Sequence, residues 1–310
     1  MLLRSITRLF LLLVFALSVG LVPADAQAQE APPPTWDGES RFTVLVMGMD
    51  RRPTDRDPFQ TRTDAIILLS IDPASERIGM LHIPRDLHLT PPESPYFVRV
   101  NTLLQQGEDL QEGYGPYYVM DTLQYNLGIY IDRYMLFDFT AFEAIVDAIG
   151  GVEIELNYII NDPTYPDRNR GYDPFYLSAG THTLDGYDAL RFARTRHGDN
   201  DYVRGVRQMQ VARAIYQRAS DPDVFEQLVD NAPQLLEDLE GNVYTDLSLR
   251  QMIALARAAR QLDAEDIVTG SINEANIRSH RQVGDGLIKI PDRRTLTARM
   301  IEVFGENYGG

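Results

Sequence analysis

Apolar residues recur along the chain with two spacings, short runs or every second position in some segments and every third to fourth in others. Phe42–Gly48 (FTVLVMG) is a β-branched run closed by a glycine, the pattern of a buried strand that opens into a loop at Asp50. Ala65–Ile71 (AIILLSI) predicts a second strand, Asp72-Pro73-Ala74-Ser75 a turn, and Arg77–Ile83 a third strand, so the last two form a hairpin. With the turn centred between Pro73 and Ala74, antiparallel pairing sets Asp64 opposite Ile83, close to Arg85. If the first strand lies antiparallel to the second, Asp50 leaves it on the same rim.

Helical spacing follows in Pro116–Leu127 and Ala141–Ile149, where Gly150-Gly151 ends the second helix and Val152–Leu156 alternates as a strand. Val203–Ala219 predicts a long helix with Asp201 near its N-cap, and Leu249–Leu262 a further amphipathic one. Phe225–Leu239 has the same spacing, broken by Pro233. Glu274–Pro291 predicts short strands and loops, and Arg293–Phe304 a closing helix. No internal repeat or second-domain linker interrupts this series.

The N-terminus has another character. Arg4 and Arg8 precede an apolar stretch from Leu9 to Val22, and Ala24-Asp25-Ala26 offers a small-x-small cleavage site, so residues 1–26 are expected to be an export signal or an uncleaved anchor. Residues 27–40, with Pro32-Pro33-Pro34, have the composition of an exposed tether. Everything beyond then lies outside the cytoplasm.

Composition narrows the chemistry. A 44% hydrophobic content over 310 residues supports a real core. A formal net charge of -16 repels a nucleic-acid backbone, so no nucleic-acid partner is expected. Zero cysteines exclude a disulfide framework, thiolate metal ligation and a cysteine nucleophile. Against this acidic background, Arg191, Arg194, Arg196, Arg204 and Arg207 crowd together. Arg204, Arg207 and Gln208 fall at i, i+3 and i+4 of a helix, with Asp201 one turn earlier. One reading is a solvated face paired with Asp199 and Asp201, each exposed pair contributing about 0 to 1 kcal/mol. The other starts from Arg62, Arg85, Arg194 and Arg196, which adjoin apolar cores where an unpaired guanidinium is costly, and which a dianionic ligand would satisfy together. Asp50 and Asp64 then suit Mg²⁺, which takes one or two carboxylates and completes its shell with phosphate oxygens and water. Plain ion pairing with the same arginines is the alternative.

Six ordered segments carry a family resemblance: Val46–Asp50 (VMGMD), Arg62–Ile66 (RTDAI), Ile83–Asp86 (IPRD), Leu177–Leu190 (LSAGTHTLDGYDAL), Arg194–His197 (RTRH) and Asp201–Gln208 (DYVRGVRQ). Together they resemble the signature of the LytR-CpsA-Psr family, over a catalytic core taken as residues 41–219, with residues 220–310 a helical continuation of the same domain. The resemblance implies an α/β/α sandwich around a central mixed sheet, with a hydrophobic lipid-binding tunnel between sheet and helices. It implies Mg²⁺ on Asp50 and Asp64, and a pyrophosphate held by Arg62, Arg85, Arg194, Arg196, Arg204 and Gln208. Arg85, Asp64, Arg196 and Asp201 are the implied catalytic set, while Asp86 and Arg207 are read as supporting residues. The implied activity is phosphotransfer of a glycopolymer from a polyprenyl-pyrophosphate-linked glycan to peptidoglycan, at the outer face of the cytoplasmic membrane. A noncatalytic lipid-pyrophosphate sensor and a pyrophosphate hydrolase are the competing readings. The general base stays open among His197, Asp64 and Asp201, and Arg51 or Arg52 either reaches the site or faces solvent.

Overall fold

The computed structural model describes residues 36, 38–51, 57–167, 171–195, 201–224, 227, 237, 239–248, 251, 254–255, 258–259, 262, 266–282, 284 and 286–309. The expected signal segment and most of the tether lie outside these residues, as do most of Phe225–Leu239 and Leu249–Leu262. Six strands build the central sheet: β1 (Phe42–Met49), β2 (Thr63–Asp72), β3 (Arg77–His82), β4 (Arg133–Phe137), β5 (Val243–Thr245) and β6 (Ile267–Ser271), in the order β5-β4-β1-β2-β3-β6. The sheet is mixed. β1 and β3 are antiparallel to β2, whereas β4 runs parallel to β1 and β6 parallel to β3. The C-terminal ends of β1, β3, β4 and β6 and the N-terminal end of β2 therefore share one rim.

Helices that lie wholly within the described residues include α1 (Leu103–Leu110), α2 (Gly115–Leu127), α3 (Phe139–Ala148), α4 (Gly186–Arg194), α5 (Asp201–Ala219) and α6 (Arg293–Phe304). Side-chain alternation along the strands decides which face each residue serves. Leu45, Met47, Ile66, Leu68 and Leu81 pack on one face against α1, α2 and α6. Val44, Ile71, Ile78 and Met80 pack on the other, against Met209 of α5 and the buried Leu255 and Leu262. The result is the expected α/β/α sandwich. On that second face, however, the mid-sheet residues Val46, Ile67, Leu69 and Phe137 are only partly buried. So are Phe142 and Ile145 of α3, with the Phe137 and Phe142 rings stacked at 6.4 Å.

α3 begins where the Asp138 carboxylate accepts the Ala141 N–H (3.0 Å), and it ends at Gly150 and Gly151, whose φ values of 76° and 87° are left-handed. On the first face, α6 presses into β3 at Gly79, where an added Cβ would lie 2.6 Å from the Phe304 ring. Arg77 of β3 reaches across to donate to the Glu302 carbonyl (2.9 Å).

Two details differ from the expectations. Asp72 pairs with Arg77 and Ile67 with His82, which moves the hairpin centre one residue along and brings Asp64 opposite Arg85 rather than Ile83. The cause is local: Asp72 caps a short 3-10 turn over Pro73–Ser75, and Glu76 takes the left-handed conformation (φ 49°) that ends it. The second difference lies beyond residue 219, where two unexpected segments supply strands, β5 and β6, which form both edges of the sheet; the short strands expected over Glu274–Pro291 are present, Ile277–Gln282 pairing with Gly286–Pro291 as a hairpin.

Asp246, just after β5, accepts the Tyr134 N–H (2.9 Å) at the far rim. Burial pushes its carboxyl up to about 6, against the pull of that hydrogen bond and of Arg133. An acid whose folded pKa exceeds its unfolded value binds its proton more tightly in the fold, so stability rises as pH falls through 6 towards 4. Asp246→Asn keeps the acceptor and removes the buried charge. The variant is expected to be more stable than the parent at pH 7 and to have a flatter pH dependence between 6 and 4, read from urea midpoints; a less stable variant at pH 7 would refute this account.

Candidate functional site

The shared rim collects charged groups from separate stretches of sequence. Asp50 follows β1, where its N–H donates to the Arg62 carbonyl (3.3 Å) and its carbonyl accepts from the Thr61 hydroxyl (3.2 Å). Its exposed carboxylate has no partner among the described residues. One strand over, Arg85 donates to the Asp64 carboxylate at 2.8 Å, with the two side chains 17% and 27% exposed. That depth leaves both reachable by a ligand. Arg62 stands on the same rim but is exposed, so desolvation does not strain it as the sequence reading supposes.

α5 brings the second group. Its first two turns present Asp201, Arg204, Gly205 and Gln208 at i, i+3, i+4 and i+7, which is a single face. Gly205 lies against His82, the last residue of β3, so this face meets the rim beside Arg85. Arg204 is 3% exposed. Gln208 has a buried side-chain oxygen without a hydrogen-bond partner among the described residues, and its amide N–H groups are the donors an anion would use. Arg207 points elsewhere: it is fully buried and donates to the Thr195 carbonyl at the end of α4, which fits its reading as a supporting residue.

At the β4 end stands Arg194, in the last turn of α4. Its guanidinium lies 4.1 Å from the centroid of the Phe139 ring and donates to the Tyr165 hydroxyl (3.3 Å). Burial pushes the Tyr165 phenol up, and the nearby Arg194 charge pulls it back. Arg194 is thus held by rings, with its charge not matched by a carboxylate among the described residues. Arg191 is unlike it. Ion pairs to Asp188 (3.0 Å) and Asp173 (3.3 Å) and the Phe175 ring at 4.6 Å give it a structural role. Arg196, His197 and the side chain of Asp201 lie outside the described residues.

Three further residues complete the picture. Arg51, left open between site and solvent, donates to the Gly241 carbonyl (2.7 Å) and the Tyr244 hydroxyl (3.0 Å) and lies 3.8 Å from the Asp138 carboxylate. It pins the loop after Asp50 to the β4–β5 edge. Burial pushes the Asp138 carboxyl up, and its backbone hydrogen bond and Arg51 pull it down. Asp86 pairs with Arg99 at 3.8 Å on the exposed surface, away from any ligand role visible here. His82 was not singled out by sequence, because a histidine in an apolar strand carries no signal of its partner.

Asp50 and Asp64 are the two carboxylates at this rim that a Mg²⁺ ion would use. No group of three or more His, Asp or Glu side chains gathers among the described residues, so a cation there would hold few protein oxygens and depend on ligand phosphates.

Residues 23–290 match the model of the LytR_cpsA_psr family. Among curated proteins, the polyisoprenyl-teichoic acid–peptidoglycan teichoic acid transferase TagT of Bacillus subtilis is 31% identical over 224 residues, which is 70% of this chain and 64% of that protein. TagV of the same bacterium, named as the same kind of transferase, is 25% identical over 240 residues, or 76% of this chain and 57% of that protein. This chain thus spans less than two thirds of the length of these curated relatives. A solved structure of TagT bound to LI-WTA superposes with a TM-score of 0.60 at 23% identity, covering 87% of this chain and 94% of that one, a likeness of fold.

The arginines divide by role, and stability measurements separate them. Arg207→Ala is expected to cost about 2–4 kcal/mol, because it empties a fully buried site and strands the Thr195 carbonyl. Arg62→Ala, on an exposed residue, should shift stability by no more than about 0.5 kcal/mol. Equal losses in chemical denaturation would contradict this division.

Proposed function

Because the chain belongs to the LytR-CpsA-Psr family, we propose that it transfers a glycopolymer phosphate from a polyprenyl-pyrophosphate carrier to peptidoglycan, outside the cytoplasmic membrane. One observation carries the reading: the Arg85–Asp64 pair, the unpartnered Asp50, Arg194 and the Arg204–Gln208 helix face all border one sheet rim, above an apolar face that is only partly covered. A charged head group beside an apolar slot is the shape of a lipid-linked pyrophosphate. The tail would lie along Val46, Ile67, Leu69 and Phe137, in the tunnel implied by the resemblance.

In the reaction, an acceptor sugar hydroxyl attacks the phosphorus that carries the glycopolymer. The new P–O bond forms as the bond to the bridging oxygen breaks, polyprenyl phosphate leaves, and the hydroxyl proton passes to a base. Arg85, Arg194, Arg196 and Arg204 would hold the phosphate oxygens and oppose the charge that builds on them, with Gln208 and Arg62 contributing hydrogen bonds. Asp50 and Asp64 would hold a Mg²⁺ ion, which would supply further charge neutralisation at the phosphates. Asp201, at the head of α5, would orient the arginines on that face. Such catalysis rests on positioning and electrostatics, which agrees with the absence of cysteine from the chain.

The proposed location rests on the signal or anchor expected in residues 1–26 together with the relatives' names. No helix among the described residues is long and apolar enough to cross a membrane.

The test is incubation of the purified protein with a polyprenyl-pyrophosphate glycan and Mg²⁺, with and without peptidoglycan. New covalent attachment is expected; glycan phosphate released without attachment would make it a hydrolase, and binding without turnover a sensor. Arg85→Ala should lower transfer by about 10²–10³-fold, the effect of removing one preorganised donor, while unfolding stays cooperative. Arg196→Ala should do likewise, and chelation of the metal should stop the reaction reversibly. Wild-type rates in both variants would remove these residues from the catalytic set.

A further inference from the structure

A glycine in the second turn of a nineteen-residue helix needs a reason, because alanine is the better helix former at that position. Gly205 has one. A Cβ built on it would lie 2.3 Å from Cε1, 2.5 Å from Nδ1 and 2.9 Å from Nε2 of His82. All three contacts are shorter than non-bonded atoms tolerate, so the helix backbone rests directly on the imidazole. His82 itself cannot recede: it is 1% exposed, pairs with Ile67 on one side and Ser271 on the other, and its Nδ1 lies 3.0 Å from the Ser271 hydroxyl.

The contact falls between the two halves of the candidate site. Gly205 shares a helix face with Arg204 and Gln208, and His82 is three residues before Arg85 on the rim. We propose that His82 and Gly205 form a spacer that sets the distance between the α5 arginine face and the Arg85–Asp64 pair, and so the size of the anion pocket. His82 is a positioning residue in this role, acting through α5 and not on the substrate. The functional half of the inference rests on the proposed lipid-pyrophosphate reading; the geometric half does not.

Gly205→Ala forces the helix outward, since neither the ring nor the strand behind it has room. Its effect on transfer is expected to be a loss on the order of a hundredfold, the consequence of about 1 Å of misplacement. The informative comparison is the double variant His82→Ser/Gly205→Ala, in which the methyl occupies the space of the missing ring. It should regain most of the transfer rate, whereas a role confined to stability would add the two losses together. Melting temperatures of all three proteins keep folding apart from function. Crystal structures of the single and double variants supply a readout that needs no activity: α5 should move away from β3 in Gly205→Ala and return in the pair. An unmoved helix in Gly205→Ala, or a folded double variant no more active than the single one, overturns the spacer. If the parent protein attaches no glycan while the helix moves and returns as expected, the transferase reading fails and the spacer stands.

Discussion

Strand register is the constraint on which the site depends. Side chains alternate faces along a strand, so a slip of one residue between β2 and β3 would turn Asp64 away from Arg85 and send Ile66 and Leu68 out of the core. Apolar burial on both faces forbids that slip. The 2.8 Å ion pair at the rim is therefore a by-product of hydrophobic packing in the middle of the sheet, positioned at no cost to itself. The same reasoning extends to β1 and β4, whose parallel pairing carries Asp50 and Asp138 out on one side, and to β6, which carries Ser271 to His82.

Charge at this rim is graded by how each group is held. Arg207 and Arg191 are enclosed by carbonyls, carboxylates and rings, and they fasten α4 and α5 to their surroundings. Arg51 fastens a loop. Arg194 rests on aromatic faces, which attract a cation without neutralising it, so its charge stays available. Asp64 pairs with an arginine, as the simpler of the two sequence readings has it, and it sits near the start of β2 beside the end of β1 that leads to Asp50. A pair that is part-exposed in this way can exchange one partner for a ligand, whereas a fully buried one could not.

Much of this was legible in the chain. The first three strands announce themselves by β-branched runs, the closing helix by its spacing, and the rim by simple antiparallel counting. The hairpin centre was misjudged because Glu76, a residue with no turn preference of its own, takes a left-handed conformation to end a 3-10 turn capped by Asp72. Both edge strands of the sheet, β5 and β6, were missed for another reason: Val243–Thr245 is three residues long, and Ile267–Ser271 contains Thr, Gly and Ser, too little apolar pattern to register. Arg204 and Arg207 look alike in sequence and differ only in what surrounds them once α5 is placed. The Gly205 contact with His82 joins positions more than a hundred residues apart, beyond the reach of any local pattern.

The lock between α6 and β3 bears on how the chain reaches this state. Arg77 and Glu302, which meet through a hydrogen bond, are separated by 225 positions, and the Phe304 ring fills the hollow that Gly79 leaves. One face of a central strand thus stays uncovered until a segment 225 positions further along has been made. Contacts of such long range close late, after the entropy of a very large loop has been overcome. Until that helix arrives, the apolar face of the strand is open to the wrong partners, a hazard of any fold that closes between distant segments.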